Sequence, residues 1–205
     1  MDEKQAIARL KQGDLGGLEV LVRTYQLQAI RAACLIVGDL ALAEDIVQNA
    51  FIRAGERIAQ FDAKRPFGPW FLRSIINDAI KAANRQKRQV SLDQSEGEGF
   101  LDLIDPGGLP EDQVETKETA QATWWALQKL PPNQRAAIVM RYYLDMREDE
   151  MTVALNGPPG TIRWWLHAAH QRLASLLRPL RSSEPEPVFE RQPHPERDPA
   201  PGGKR

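Results

Sequence analysis

The stretch from residue 18 to residue 36 constrains this chain most. Leu18, Leu21, Val22, Tyr25, Ala29, Ala32, Leu35 and Ile36 recur three and four apart, which lays them along one side of an α-helix. Asp14 stands where a helix N-cap is needed, and Gly38, which tolerates the left-handed conformation, stands where the helix must stop. A stripe this long cannot be buried by one helix alone; other helices must cover it. The flanking sequence supplies them. Residues 2–11 put Ala6, Ile7 and Leu10 on one face. The segment capped by Asp39 carries Leu42, Ile46, Ala50 or Phe51, and Ala54, and the one opening near Pro69 carries Leu72, Ile75, Ile76, Ala79 and Ala83. No period-two run competes with these patterns. The expected fold class is all-α.

Beyond residue 89 the pattern changes. Gly97, Gly99, Pro106, Gly107, Gly108 and Pro110 are interspersed with acidic residues and leave little to bury, apart from a short apolar run at 100–104. Helical patterning resumes at 111–129, and Pro131 and Pro132 open a further helix running through Tyr143. A short acidic helix over 148–155, a turn at 156–160 and a helix from Thr161 to about Leu177 have the outline of a helix-turn-helix. The expected organisation is a helical domain over 1–90, an acidic flexible linker over 91–111, a helix-turn-helix domain over 112–180, and a disordered Pro- and Glu-rich tail over 181–205.

The net charge of −1 conceals a strong asymmetry. Residues 1–90 carry 14 Lys/Arg against 10 Asp/Glu, and residues 123–181 carry 8 against 4. Between them, residues 91–122 hold 1 against 9. Two basic domains flanking an acidic strip fit a nucleic-acid partner better than the average suggests. The densest basic stretch, 61–88, has seven Lys/Arg against two Asp/Glu and interleaves them with Phe61, Phe67, Trp70 and Phe71. Rings that stack on bases beside cations that pair with phosphates suit single-stranded nucleic acid.

Four segments, in order, resemble the extracytoplasmic-function sigma factors of bacterial RNA polymerase. They are Asp45-Ile46-Val47-Gln48-Asn49-Ala50-Phe51; Trp70-Phe71-Leu72-Arg73-Ser74-Ile75-Ile76-Asn77; the run from Leu127 through Leu130-Pro131 and Gln134-Arg135 to Arg141-Tyr142; and Gly160-Thr161-Ile162-Arg163. The resemblance covers roughly 1–90 and 112–178. It implies a subunit that carries the polymerase core to promoters and assists melting. The core-binding surface it implies comprises Asp45, Ile46, Val47, Gln48, Asn49 and Phe51, with Asn49 where the family usually has an acidic residue. For the minus-ten element it implies Phe67, Trp70, Arg73, Asn77, Lys81, Arg85, Lys87 and Arg88; for the minus-thirty-five element, Thr161, Arg163, Trp164, His167 and Arg172. It further implies an anti-sigma factor as a partner. The recognition helix departs from the family, with Trp164 and Trp165 where cations are usual, which points to weakened readout of the minus-thirty-five box.

The alternative is a helix-turn-helix regulator acting through protein partners. The amino-terminal domain argues against it, since such a regulator needs neither a core-docking helix nor a melting loop. No nucleophile–base pair, phosphate loop or metal-ligand spacing stands out, so no enzyme activity, cofactor or metal is expected. His167 and His170 read as a solvated pair, and the single cysteine, Cys34, as a small buried hydrophobe. The chain has no apolar run of about 18 residues, so membrane insertion is not expected and a cytoplasmic location is.

Overall fold

The computed structural model describes residues 1–89 and 113–181. Every regular element among them is helical: α1 (Glu3–Lys11), α2 (Gly16–Val37), α3 (Leu40–Arg57), a 3₁₀ turn (Ile58–Gln60), α4 (Phe67–Gln89), α5 (Gln113–Gln128), α6 (Pro132–Ile138) with its π-helical end (Val139–Tyr143), α7 (Glu148–Leu155) and α8 (Pro159–Arg181). The all-α expectation holds. The expected linker lies outside the described residues, as does the tail beyond Arg181.

α2 is the hub. Leu21, Ala29, Ala32, Ala33, Cys34 and Ile36 are buried, and the helix packs on α1, α3 and α4, then on α5 and α6 of the second domain. Its 22 residues are long and apolar enough to span a bilayer by length and composition, although Glu19, Arg23 and Arg31 interrupt the apolar run. Its apolar face is instead covered by its neighbours, as in the core helix of a globular protein. α1 lies so close that a Cβ on Gly17 would come within 2.2 Å of the Ala6 carbonyl oxygen. Gly38 closes α2 in the left-handed conformation at φ 81°, and its N–H donates to the Cys34 carbonyl.

Three boundaries differ from expectation. Leu15, not Asp14, occupies the cap position of α2. The Asp14 carboxylate still accepts the Gly16 N–H at 2.9 Å and is held by Arg9 at 2.6 Å, a bond that draws its carboxyl below the usual carboxylate range. α4 begins at Phe67 rather than Pro69, because Gly68 lets its first turn approach the Tyr25 ring, 3.0 Å from an added Cβ. Pro69 then falls where no intrahelical donor is required. α8 begins at Pro159 and extends to Arg181; the Pro158 carbonyl accepts the Thr161 N–H at 3.0 Å.

Asp39 caps α3 as expected, accepting the Leu42 N–H at 3.0 Å, and the acidic helix over 148–155 is α7. The apolar core runs unbroken from α1 into α8.

Candidate nucleic-acid interface

The loop–helix unit expected to stack on bases turns most of its rings inward. Phe67 and Phe71 lie 5.4 Å apart and Phe51 meets Phe71 at 4.3 Å, while Phe61 stands edge-on to Phe67 at 5.6 Å. Phe61, Phe67 and Phe71 are all buried. Phe67 was expected at the minus-ten interface; it belongs to the core, because residues 67, 71 and 75 share the inner face of α4. Trp70 differs. It is half-buried, resting on Phe61 at 5.1 Å and Phe67 at 5.5 Å, so its ring is braced from behind.

From Trp70 a polar stripe climbs the outer side of α4 through Arg73, Asn77 and Lys81, three and four residues apart. The Asn77 Nδ2 donates to the Arg73 carbonyl at 2.8 Å and to the Ala154 carbonyl of α7 at 3.0 Å. Lys81 pairs with Asp78 at 3.5 Å, and Asp78 also binds Arg53 of α3. Arg73, Arg85, Lys87 and Arg88 are exposed. Arg85 additionally lines an open groove of about 540 Å³ between α3 and α4, together with Asp45, Asn49 and Arg53. This arginine therefore shares a surface with the residues expected to dock on polymerase.

On α3, Asp45, Gln48 and Asn49 are exposed, with the Asn49 amide donating to the Asp45 carbonyl at 2.8 Å. Ile46, Val47 and Phe51 are buried, at 8%, 1% and 6% exposure. They were expected to contribute to the core-binding surface; they instead fasten α3 to α2 and α4 from inside, leaving the polar residues to face outward. The exposed apolar residue here is Ile52, four residues beyond Gln48. Both line a second groove with Val22 and Gln26 of α2. Ile52 escaped the sequence reading because it lies one residue past the motif.

In the helix-turn-helix, Thr161 is half-buried at the first turn of α8, while Arg163, Trp164, His167 and Arg172 are exposed. The Arg163 Nε donates to Glu148 Oε2 of α7 at 2.9 Å. The two indoles separate: Trp165 packs against the core, and Trp164 is 60% exposed. His167 meets Gln171 at 3.0 Å and His170 meets the Tyr142 hydroxyl at 2.8 Å.

Sequence reading also missed a polar seam between the domains. The buried Arg135 guanidinium donates to the carbonyls of Ile36 at 2.7 Å, Gln128 at 2.7 Å and Leu130 at 3.1 Å, and to the Gln128 side chain. Burial draws its pKa down to about 10, which leaves it charged at neutral pH. Gln128 in turn donates to the Leu35 carbonyl at 3.3 Å. A charged residue followed by an apolar helical run was the available signal.

Comparison with known proteins matches both halves. The model for Sigma-70 region 2 fits residues 21–89, and that for Sigma-70, region 4 fits residues 121–173. The ECF RNA polymerase sigma factor SigW of Bacillus subtilis (strain 168) is 31% identical over 182 residues, covering 86% of this chain and 97% of that protein. The ECF RNA polymerase sigma-E factor of Escherichia coli (strain K12) is 26% identical over 191 residues, 88% and 96% of the respective chains. Among solved structures, CnrH in complex with the cytosolic domain of CnrY superposes with a TM-score of 0.60 at 20% identity, covering 87% of this chain and 99% of that one. The sigma factor RpoE bound to the anti-sigma factor NepR from Bartonella quintana gives 0.58 at 20% identity, covering 78% and 94%.

Proposed function

The chain belongs to the extracytoplasmic-function sigma factors of bacterial RNA polymerase, and from that premise we propose how its surfaces divide the work of initiation. The protein directs the polymerase core to promoters and assists their melting. In our reading the first domain docks on the core through Asp45, Gln48 and Asn49, with Arg85 and Ile52 at the borders of that surface. The outer stripe of α4 takes the non-template strand of the minus-ten element. Trp70 provides the stacking face, Asn77 the base-edge hydrogen bonds, and Arg73, Lys87 and Arg88 the phosphate contacts. The second domain meets the minus-thirty-five box through Thr161, Arg163, Trp164, His167 and Arg172.

One observation carries this reading: Trp70 rests on buried rings with the polar stripe directly above it on α4. Extruding a base costs a few kcal/mol, and a braced ring recovers part of that by stacking without reorganising. Both structural relatives are held by a second protein, CnrY in one case and the anti-sigma factor NepR in the other. An anti-sigma partner for this chain follows by the same likeness.

The test is run-off transcription and permanganate footprinting with purified core polymerase. Asn77→Ala is expected to lower open-complex formation while leaving core binding intact. Wild-type melting by a folded Asn77→Ala protein would reject the assignment.

A further inference from the structure

Resting on that reading, we propose that Glu3 and Lys11 of α1 are positioning residues for minus-ten recognition. They hold the backbone of the two rings on which Trp70 rests, and so fix where its stacking face meets the melted strand. Neither residue is among those assigned to DNA.

α4 cannot cap itself. It starts directly after Pro66, whose ring offers no acceptor for the helix's first N–H groups. The acceptors come from other helices. The half-buried Glu3 carboxylate accepts the Phe67 N–H at 3.4 Å, and its second oxygen takes the Tyr25 hydroxyl of α2. The Gly68 N–H interacts with the Tyr25 oxygen in turn, and Pro69 has no N–H to satisfy. A carboxylate at this end also suits the positive pole of α4.

The other end of the turn is held from the same helix. The Lys11 Nζ donates to the Phe61 carbonyl at 2.6 Å. Glu3 and Lys11 lie roughly 12 Å apart along α1 at 1.5 Å per residue. Between their partners, residues 62–66 are all exposed and tied into one unit. The Asp62 carboxylate accepts the Lys64 N–H at 3.0 Å and the Asp62 carbonyl accepts the Arg65 N–H at 2.9 Å.

The rings beneath Trp70 are those of Phe61 and Phe67, the residues whose backbone α1 grips. A binding face selects its ligand only if its support holds it to within about 0.5 Å. α1, set on α2 through Gly17, supplies that support.

The test uses full-length protein reconstituted with core polymerase. Holoenzyme selects strands from a randomised single-stranded DNA pool, and sequencing reads the enrichment of each base at each position. Glu3→Ala and Lys11→Met are expected to lower the enrichment of the preferred bases at least about fivefold, with core affinity unchanged. Glu3→Gln, which keeps an acceptor for Phe67, and Lys11→Arg, which keeps a donor for Phe61, should restore the preference. α1 retains its own cap, Asp2 with Gln5, in every variant. Circular dichroism sets a temperature at which each is folded, and Lys11→Met carries the test should Glu3→Ala not fold. Weaker binding with an unchanged base preference in both α1 variants would make these bonds merely structural and overturn the proposal. If the α1 variants kept the preference while Trp70→Ala lost it, the positioning role would be wrong and the reading of α4 would survive. A preference kept by Trp70→Ala as well would overturn both.

Discussion

Arg163 and Glu148 face each other across the helix-turn-helix, Nε to Oε2 at 2.9 Å. The arginine proposed for the minus-thirty-five box thus meets a carboxylate of its own domain. An exposed pair of this kind contributes about 0–1 kcal/mol to stability, so Glu148 can be neutralised without endangering the fold. Glu148→Gln is expected to release one cation to DNA and steepen the salt dependence of duplex binding by about one unit in log–log slope. With Arg163 so engaged and Trp164 where cations are usual, scrambling the minus-thirty-five box should reduce promoter occupancy less than about a hundredfold, or ~2.7 kcal/mol. A larger drop would mean that the helix reads sequence strongly.

Phe67 and Trp70 of the loop–helix unit should part company under substitution. Phe67→Ala removes a fully buried ring and is expected to cost about 3–5 kcal/mol in urea unfolding, with activity lost through instability. Trp70→Ala removes a half-exposed ring, so its stability loss should be smaller and its melting defect should persist at temperatures where the protein stays folded. Circular dichroism beside permanganate footprinting separates the two.

Gly17 fixes the approach of α1 to α2. Since an added Cβ would sit 2.2 Å from the Ala6 backbone oxygen, Gly17→Ala must push α1 away and is expected to lower stability by about 1–3 kcal/mol. Gly160→Ala meets nothing within 4 Å and serves as the control, with little change. Equal midpoints in urea for the two variants would contradict this account of the α1–α2 contact.

Burial pushes the Cys34 thiol up to about 12, reinforced by the carboxylates of Asp39 and Glu44. The folded protein should therefore resist iodoacetamide at pH 8 and become reactive as urea unfolds it. Tyr25 is raised in the same direction, to about 12, by burial and by its bond to Glu3. For both groups the folded pKa exceeds the unfolded one, so the stability they contribute is intact below about pH 9 and declines as pH climbs toward 12. A Cys34→Ala, Tyr25→Phe protein should show a flatter alkaline limb in a pH series of thermal melts.

Helix identity was legible because it is written in local spacing. The stripe from Leu18 to Ile36, the Asp39 cap and the glycine stop at Gly38 each act within a turn or two of chain. The division of labour inside a motif was less so. Ile46, Val47 and Phe51 sit among residues of the expected docking surface, yet they point inward, and Phe67 does the same at the start of α4. A motif marks which residues serve one task but does not separate those that touch a partner from those that hold the helix in place.

An all-helical chain, its helix stripes and caps, its two basic domains and the family to which they belong are written in the order of residues, because periodicity, capping and motif order are properties of neighbouring positions. The packing of the helices is what braces Trp70 on Phe61 and Phe67, gives Arg163 to Glu148, and turns the second donor of Asn77 to Ala154. The bond from Asn77 to Ala154 joins positions 77 residues apart, and the one from Arg135 to Ile36 joins positions 99 apart. Such partners are chosen by how finished helices pack against one another, and no local pattern in the chain encodes that choice.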